Sequence, residues 1–189
     1  MWNSNFNLDQ AKLKQVEREI EMIKRVNSEY TVKFFGAWIE VDLMKFACFL
    51  MELCPGNFQT QLNNKPLVFR EDSDNLMNCL EFFISCELFR ELTECLNYLH
   101  SLTPLPVIHR DLKPFNILTT NGENRRFLKL CGFGLAKSYE FSTNNTQDVG
   151  TDMFMAPEVR SGSHYNLKAD IHSLAVIGLM IFGLENRDK

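Results

Sequence analysis

The chain has 189 residues, 45% hydrophobic and 23% charged, a composition that suits a soluble globular protein with one sizeable core. Its formal charge of -4 gives the surface as a whole no attraction for nucleic acid or an anionic membrane. The start, Met1-Trp2-Asn3-Ser4-Asn5, lacks the basic and apolar regions of a secretory signal. The longest apolar run, Leu174 to Leu184, is too short to cross a bilayer, so the chain reads as cytoplasmic.

Leu13, Val16, Ile20, Ile23 and Val26 recur at spacings of three and four, predicting an amphipathic helix over about 10–27. Thr31 to Glu40 and Lys45 to Glu52, rich in Val, Phe, Trp, Ile and Leu, read as two strands. Cys54-Pro55-Gly56-Asn57 is a breaker cluster, followed by a polar stretch to Asn78 that reads as a loop with a short helix. From Leu80, apolar positions through Leu99 mark a long helix, closed by Thr103-Pro104-Leu105-Pro106. Ile117-Leu118 and Phe127 to Leu130 flank Asn121-Gly122, a hairpin signal because both residues tolerate positive φ. A Ser, Thr and Asn loop follows, then a helix from about Leu167 into the apolar run. The six cysteines form no CxxC pair and no zinc-like spacing with histidine, and read as reduced thiols packed as small hydrophobes.

The chemistry sits in the linked motifs His109-Arg110-Asp111-Leu112-Lys113-Pro114-Phe115-Asn116, Gly132-Phe133-Gly134, Gly150-Thr151 and Ala156-Pro157-Glu158. A lone Asp or Asn in such a loop is ordinarily a solvated residue or a cap. In this order and at these distances the motifs resemble the middle of a eukaryotic protein kinase domain of the serine/threonine type. The resemblance implies an α+β, two-lobe fold that is incomplete. Residues 1–53 would be a remnant of the β N-lobe with its helix and hinge. Residues 54–189 would be a partial, mainly helical C-lobe.

By the same resemblance Asp111 orients a substrate hydroxyl and accepts its proton, Lys113 places a charge on the transferring phosphoryl group, and Asn116 holds one magnesium ion. ATP would meet Met51, Glu52, Cys54 and Leu118 along the hinge, with Glu19 as the helix glutamate that pairs with a strand lysine. Thr146, four residues before Gly150, matches an activation-loop phosphorylation site, with Thr151 in the same loop and Arg110 as the cationic partner. A plain polar residue at 146 fits the sequence equally well. Ile23, Phe34, His109 and Phe133 match the four stacked side chains that join the lobes. Asp170 matches the aspartate that anchors the catalytic-loop backbone, and Glu158 the glutamate that seeks an arginine on a later helix. Phe115 falls at a variable position and has no chemical role.

Two departures set the functional expectation. Gly132 stands where the family carries an aspartate that grips magnesium, and glycine offers no ligand atom. Residues 1–9 contain no lysine to pair with Glu19, and no glycine-rich loop is present. Losing one preorganised charge-stabilising group costs about 3 to 4 kcal/mol in the transition state, roughly 10²- to 10³-fold in rate. Two functions therefore stay open: a serine/threonine kinase with impaired transfer that uses ATP and Mg²⁺ by family, or a pseudokinase that binds a partner kinase without chemistry. The segments Val32 to Trp38, Leu50 to Cys54 and Ile108 to Ile117 further resemble the kinases of the translation initiation factor 2 alpha subunit, which would make that subunit the protein substrate.

Overall fold

The computed structural model describes residues 10–41, 45–69, 77–122, 126–138, 152–162 and 166–184. Helix α1 (Gln10–Val26) forms on the expected periodicity and buries Ile23 and Val26. Thr31 stops it, because its hydroxyl donates to the Val26 carbonyl at 2.7 Å. Arg25, in the last turn, reaches across to the Ser138 hydroxyl and the Leu105 carbonyl.

Strands β1 (Phe34–Val41) and β2 (Lys45–Met51) form an antiparallel pair. β1 starts three residues later than the pattern from Thr31 suggests. The reason is a competing partner: Val32 N–H donates to the Leu130 carbonyl at 2.9 Å, and Leu130 N–H to the Tyr30 carbonyl at 3.0 Å. The backbone groups of residues 30–32 are thus spent on Leu130 rather than on the hairpin.

The breaker cluster leads into β3 (Gly56–Asn57) and α2 (Phe58–Val68). The helix is longer than the weak periodicity predicts, since Asn57 caps it, its side-chain oxygen accepting from Thr60 N–H at 3.0 Å. Asn78 does the same for α3 (Cys79–His100), accepting from Glu81 N–H at 2.9 Å. Helix α3 runs through the middle of the C-lobe and buries Leu92, Cys95, Leu96 and Leu99 almost completely.

Beyond it lie β4 (Val107–Ile108), β5 (Ile117–Thr119), β6 (Leu128–Leu130), β7 (Lys137–Ser138), α4 (Pro157–Arg160) and α5 (Lys168–Ile181). The predicted hairpin is β5–β6, extended by β3 to a three-stranded sheet in the order β3-β5-β6. The pair β4–β7 has no counterpart in the sequence pattern; it brackets the chemical loops and ties their two ends together. Helix α5 packs on α3 through Gly178, where a Cβ would come within 2.9 Å of the Phe89 ring, so only glycine permits this approach. No helix of the described residues is long and apolar enough to cross a membrane. The cysteines are free, but only Cys95 is buried; Cys79, at the start of α3, is exposed, and the other four are half-buried, Cys48 within β2, Cys86 within α3, and Cys54 and Cys131 outside helix and strand.

Candidate active site

The loop between β4 and β5 is built around one buried carboxylate. Asp170, in the first turn of α5, accepts from His109 N–H at 2.9 Å and Arg110 N–H at 3.0 Å, as expected for the loop anchor. His100, the last residue of α3, adds a third contact, Nε2 to Asp170 Oδ2 at 2.8 Å. The sequence pattern did not single out His100, although a histidine in a helix's last turn is a ready donor once the helix end is placed. These bonds hold Arg110 at φ 70°, a left-handed conformation that costs a non-glycine residue about 1–2 kcal/mol.

His109 is fully buried, with Nε2 at 2.9 Å from the Cys131 carbonyl and Nδ1 at 3.3 Å from Asp111 N–H. A carbonyl can only accept and an amide N–H can only donate, so the ring is the neutral Nε2–H tautomer. Burial pushes its pKa below the ordinary 6.5, outweighing the opposing pull of Asp170, the Cys131 bond and Asp111. A depressed histidine contributes stability that is complete above 6.5 and lost as pH falls below it, because the unfolded chain then binds a proton that the native ring refuses. Urea unfolding between about pH 6.5 and pH 5 should show stability falling by up to about 1.4 kcal/mol per pH unit from this one proton. His109→Phe should remove that component.

Asp111, Lys113 and Asn116 lie together in the loop. Lys113 Nζ lies 2.9 Å from Asp111 Oδ2, and Asn116 Nδ2 donates to the same oxygen at 2.8 Å and to the Asp111 carbonyl at 2.7 Å. A carboxylate fixed in this way can orient a hydroxyl, and the ammonium beside it can offset charge building on an acceptor oxygen. Gly132 faces this group at φ 80°, ψ 46°. A Cβ there would sit 2.8 Å from Asn116 Cγ, so the carboxamide fills the space that a side chain at 132 would enter.

That packing bears on magnesium. A hard dication in octahedral geometry needs several oxygen ligands. The loop offers the Asn116 carboxamide oxygen and an Asp111 carboxylate already held by Lys113, while Gly132 contributes none. Among the described residues no group of three or more His, Cys, Asp or Glu side chains could hold a metal. The donor set does not fit the magnesium-bound nucleotide of the family.

The hinge is better preserved. Met51 ends β2, and Glu52 N–H donates to the Lys33 carbonyl at 2.9 Å. Among the described residues the Glu52 carbonyl and the Cys54 N–H take no hydrogen bond, which leaves one acceptor and one donor for the edge of an adenine. Leu118 lies on β5 between Asn57 of β3 and Lys129 of β6. The Glu52 side chain has a structural task that its motif position did not reveal: Oε1 accepts from Lys129 Nζ at 2.5 Å and Lys33 N–H at 3.0 Å. Partial burial alone would raise its pKa, but these bonds and the two lysine charges hold it below the usual value.

Ile23, Phe34, His109 and Phe133 are all buried in the core, with the His109 and Phe133 ring centroids 5.1 Å apart. Glu19 lies beside Gly134, where a Cβ would come 3.3 Å from its Oε1. It forms no ion pair among the described residues, and burial raises its pKa. Glu158 is only half-buried, so the full cost of a buried unpaired carboxylate does not apply to it. Thr146 and Thr151 lie outside the described residues. Phe115 is largely exposed, consistent with its lack of a chemical role.

The model of the protein kinase domain family matches residues 3–185. Mitogen-activated protein kinase kinase kinase 7 of Drosophila melanogaster is 34% identical over 169 residues, 88% of this chain and 22% of that protein. Its Homo sapiens namesake is 32% identical over 161 residues, 84% of this chain and 23% of that protein. The serine/threonine-protein kinase dst2 of Dictyostelium discoideum is 33% identical over 162 residues, 84% of this chain and 12% of that protein. The chain thus spans less than a quarter of the length of these relatives. With a matching family model over nearly its whole length and a loop that gathers Asp111, Lys113 and Asn116 at one point, the chain belongs to the protein kinase family.

Proposed function

We propose that this chain is a serine/threonine-type protein kinase domain in which phosphoryl transfer to protein hydroxyls is strongly reduced. One observation carries the reading: Gly132 supplies no oxygen, and the space beside it is taken by an Asn116 carboxamide bound to Asp111. Glu19 supports it: among the described residues no cation pairs with it, so none of them steadies a nucleotide's phosphates on that side. ATP docks at the hinge through Glu52 and Cys54, weakly and with little help from magnesium.

The test is thermal unfolding with ATP, in Mg²⁺ and in EDTA, together with radiolabel transfer to a protein substrate. The ATP-induced rise in Tm should be small and equal in both buffers, and transfer should match an Asp111→Asn control. Gly132→Asp should introduce magnesium dependence, up to about 10²- to 10³-fold in rate if Asn116 yields. A magnesium-dependent rise in Tm for the unaltered chain, or labelling clearly above the control, would sink the reading.

A second reading is favoured by the contrast between an intact Asp170 network and an absent metal ligand: a pseudokinase that binds a partner kinase in the cytoplasm without transferring phosphate. For a residual transfer activity, the segments Val32 to Trp38 and Ile108 to Ile117 support the translation initiation factor 2 alpha subunit as substrate. The names of the kinase kinase kinase relatives support another kinase instead.

A further inference from the structure

Behind the catalytic face, α2, α3 and the β5–β6 hairpin enclose a cleft of about 740 Å³. It shares no residue with the group formed by Met51, Cys54, Asp111 and Gly132. Its walls include Phe58, Phe83, Ile84, Leu88 and Phe127, of which Phe83 and Phe127 present more than half of their surface to solvent. A volume of this order suits a small organic ligand, and apolar walls with few polar groups are the usual make-up of such a site.

Gln61, Glu87, Arg90, Thr119 and Thr120 also line the cleft, but all five are exposed or half-buried, and Glu91 is the one polar side chain of the lining that is buried. Glu91 on α3 is 5% exposed, and its Oε2 accepts both Phe127 N–H at 2.8 Å and Leu128 N–H at 3.0 Å. Its Oε1 has no hydrogen bond among the described residues, and the side chain lines the cleft. The neighbouring arginines form their ion pairs with other carboxylates, although the Arg126 charge also acts on Glu91 without a hydrogen bond to it. Arg90 pairs with Glu87 and Glu94, while Arg126 pairs with Glu94 at 2.8 Å and lies over the Tyr30 ring. A carboxylate this buried gains most from a positive hydrogen-bond donor that enters with its own apolar cover.

We infer that this cleft is a ligand site, separate from the nucleotide site, for a small amphipathic amine: an apolar or aromatic body seated between Phe83, Leu88 and Phe127, with one protonated nitrogen on Glu91 Oε1. The inference does not depend on whether phosphoryl transfer occurs.

The test is NMR titration of the full isotope-labelled chain with 4-phenylbutylamine, and with 4-phenylbutanol and 4-phenylbutyrate as neutral and anionic counterparts. The amine should shift the backbone signals of Leu88, Glu91 and Phe127 saturably, with the alcohol bound about 10-fold more weakly and the carboxylate not at all. Glu91→Gln keeps an oxygen for the two amides and should weaken the amine about 10-fold while leaving the alcohol unchanged. Phe83→Ala, at an exposed ring that the fold can spare, should weaken amine and alcohol alike. Equal binding of all three probes, shifts confined to Met51 and Cys54, or an amine affinity indifferent to Phe83→Ala would each overturn the inference.

Discussion

Asp170→Ala should lower the unfolding free energy by about 3–5 kcal/mol in urea titration, close to the whole stability of a marginal domain. The substitution strands the buried His109 and Arg110 N–H groups and removes the acceptor of His100. Each lost buried partner costs about 1–3 kcal/mol. It also removes the carboxylate that accepts the Arg110 N–H, a bond that helps to hold this residue at φ 70°. His100→Ala removes one of the three contacts and should cost about 1–2 kcal/mol. An Asp170→Ala loss below about 1 kcal/mol would mean that water or a neighbouring donor replaces the carboxylate, and the loop would not be the rigid element described above.

The second large effect is expected at Phe133. Its ring is buried against His109, and the helical turn Phe133–Leu135 makes the main packing contact of α1. Phe133→Ala should cost about 3–5 kcal/mol, from lost apolar burial and the cavity left between the lobes. The loss should be uneven. Hydrogen exchange of the α1 amides should accelerate most, while Leu96 and Leu99, buried in the centre of α3, keep their protection. Uniform acceleration through both helices would show that Phe133 is an ordinary core residue with no special hold on α1.

Much of this arrangement is legible in the residues. The three- and four-residue spacing of Leu13 to Val26 gives α1, and Asn121-Gly122 marks the β5–β6 hairpin. The catalytic trio follows from its motif because a short loop between paired strands leaves Asp111, Lys113 and Asn116 little choice but to meet. What local pattern could not supply are contacts between distant segments. Nothing in Thr31-Val32 announces that Leu130 will compete for its backbone bonds. The strand pair β4–β7 has two residues on each side, too few for a periodic signal. The bond between His100 and Asp170 spans 70 residues, and Glu91 looks in sequence like any acidic residue of a helix. For the half-buried cysteines the average burial of a residue type misleads, because the side on which each one lies in its own element decides: Cys86 and Cys95 share α3, and only Cys95 is buried.

The ladder between residues 30–32 and Leu130 has a mechanical consequence. Leu130 stands two residues before Gly132, and Thr31 ties directly into the end of α1. The segment leaving α1 and the segment entering Gly132-Phe133-Gly134 are therefore joined by two main-chain hydrogen bonds at Leu130. A displacement of the end of α1 would have to carry Leu130 with it or break both bonds.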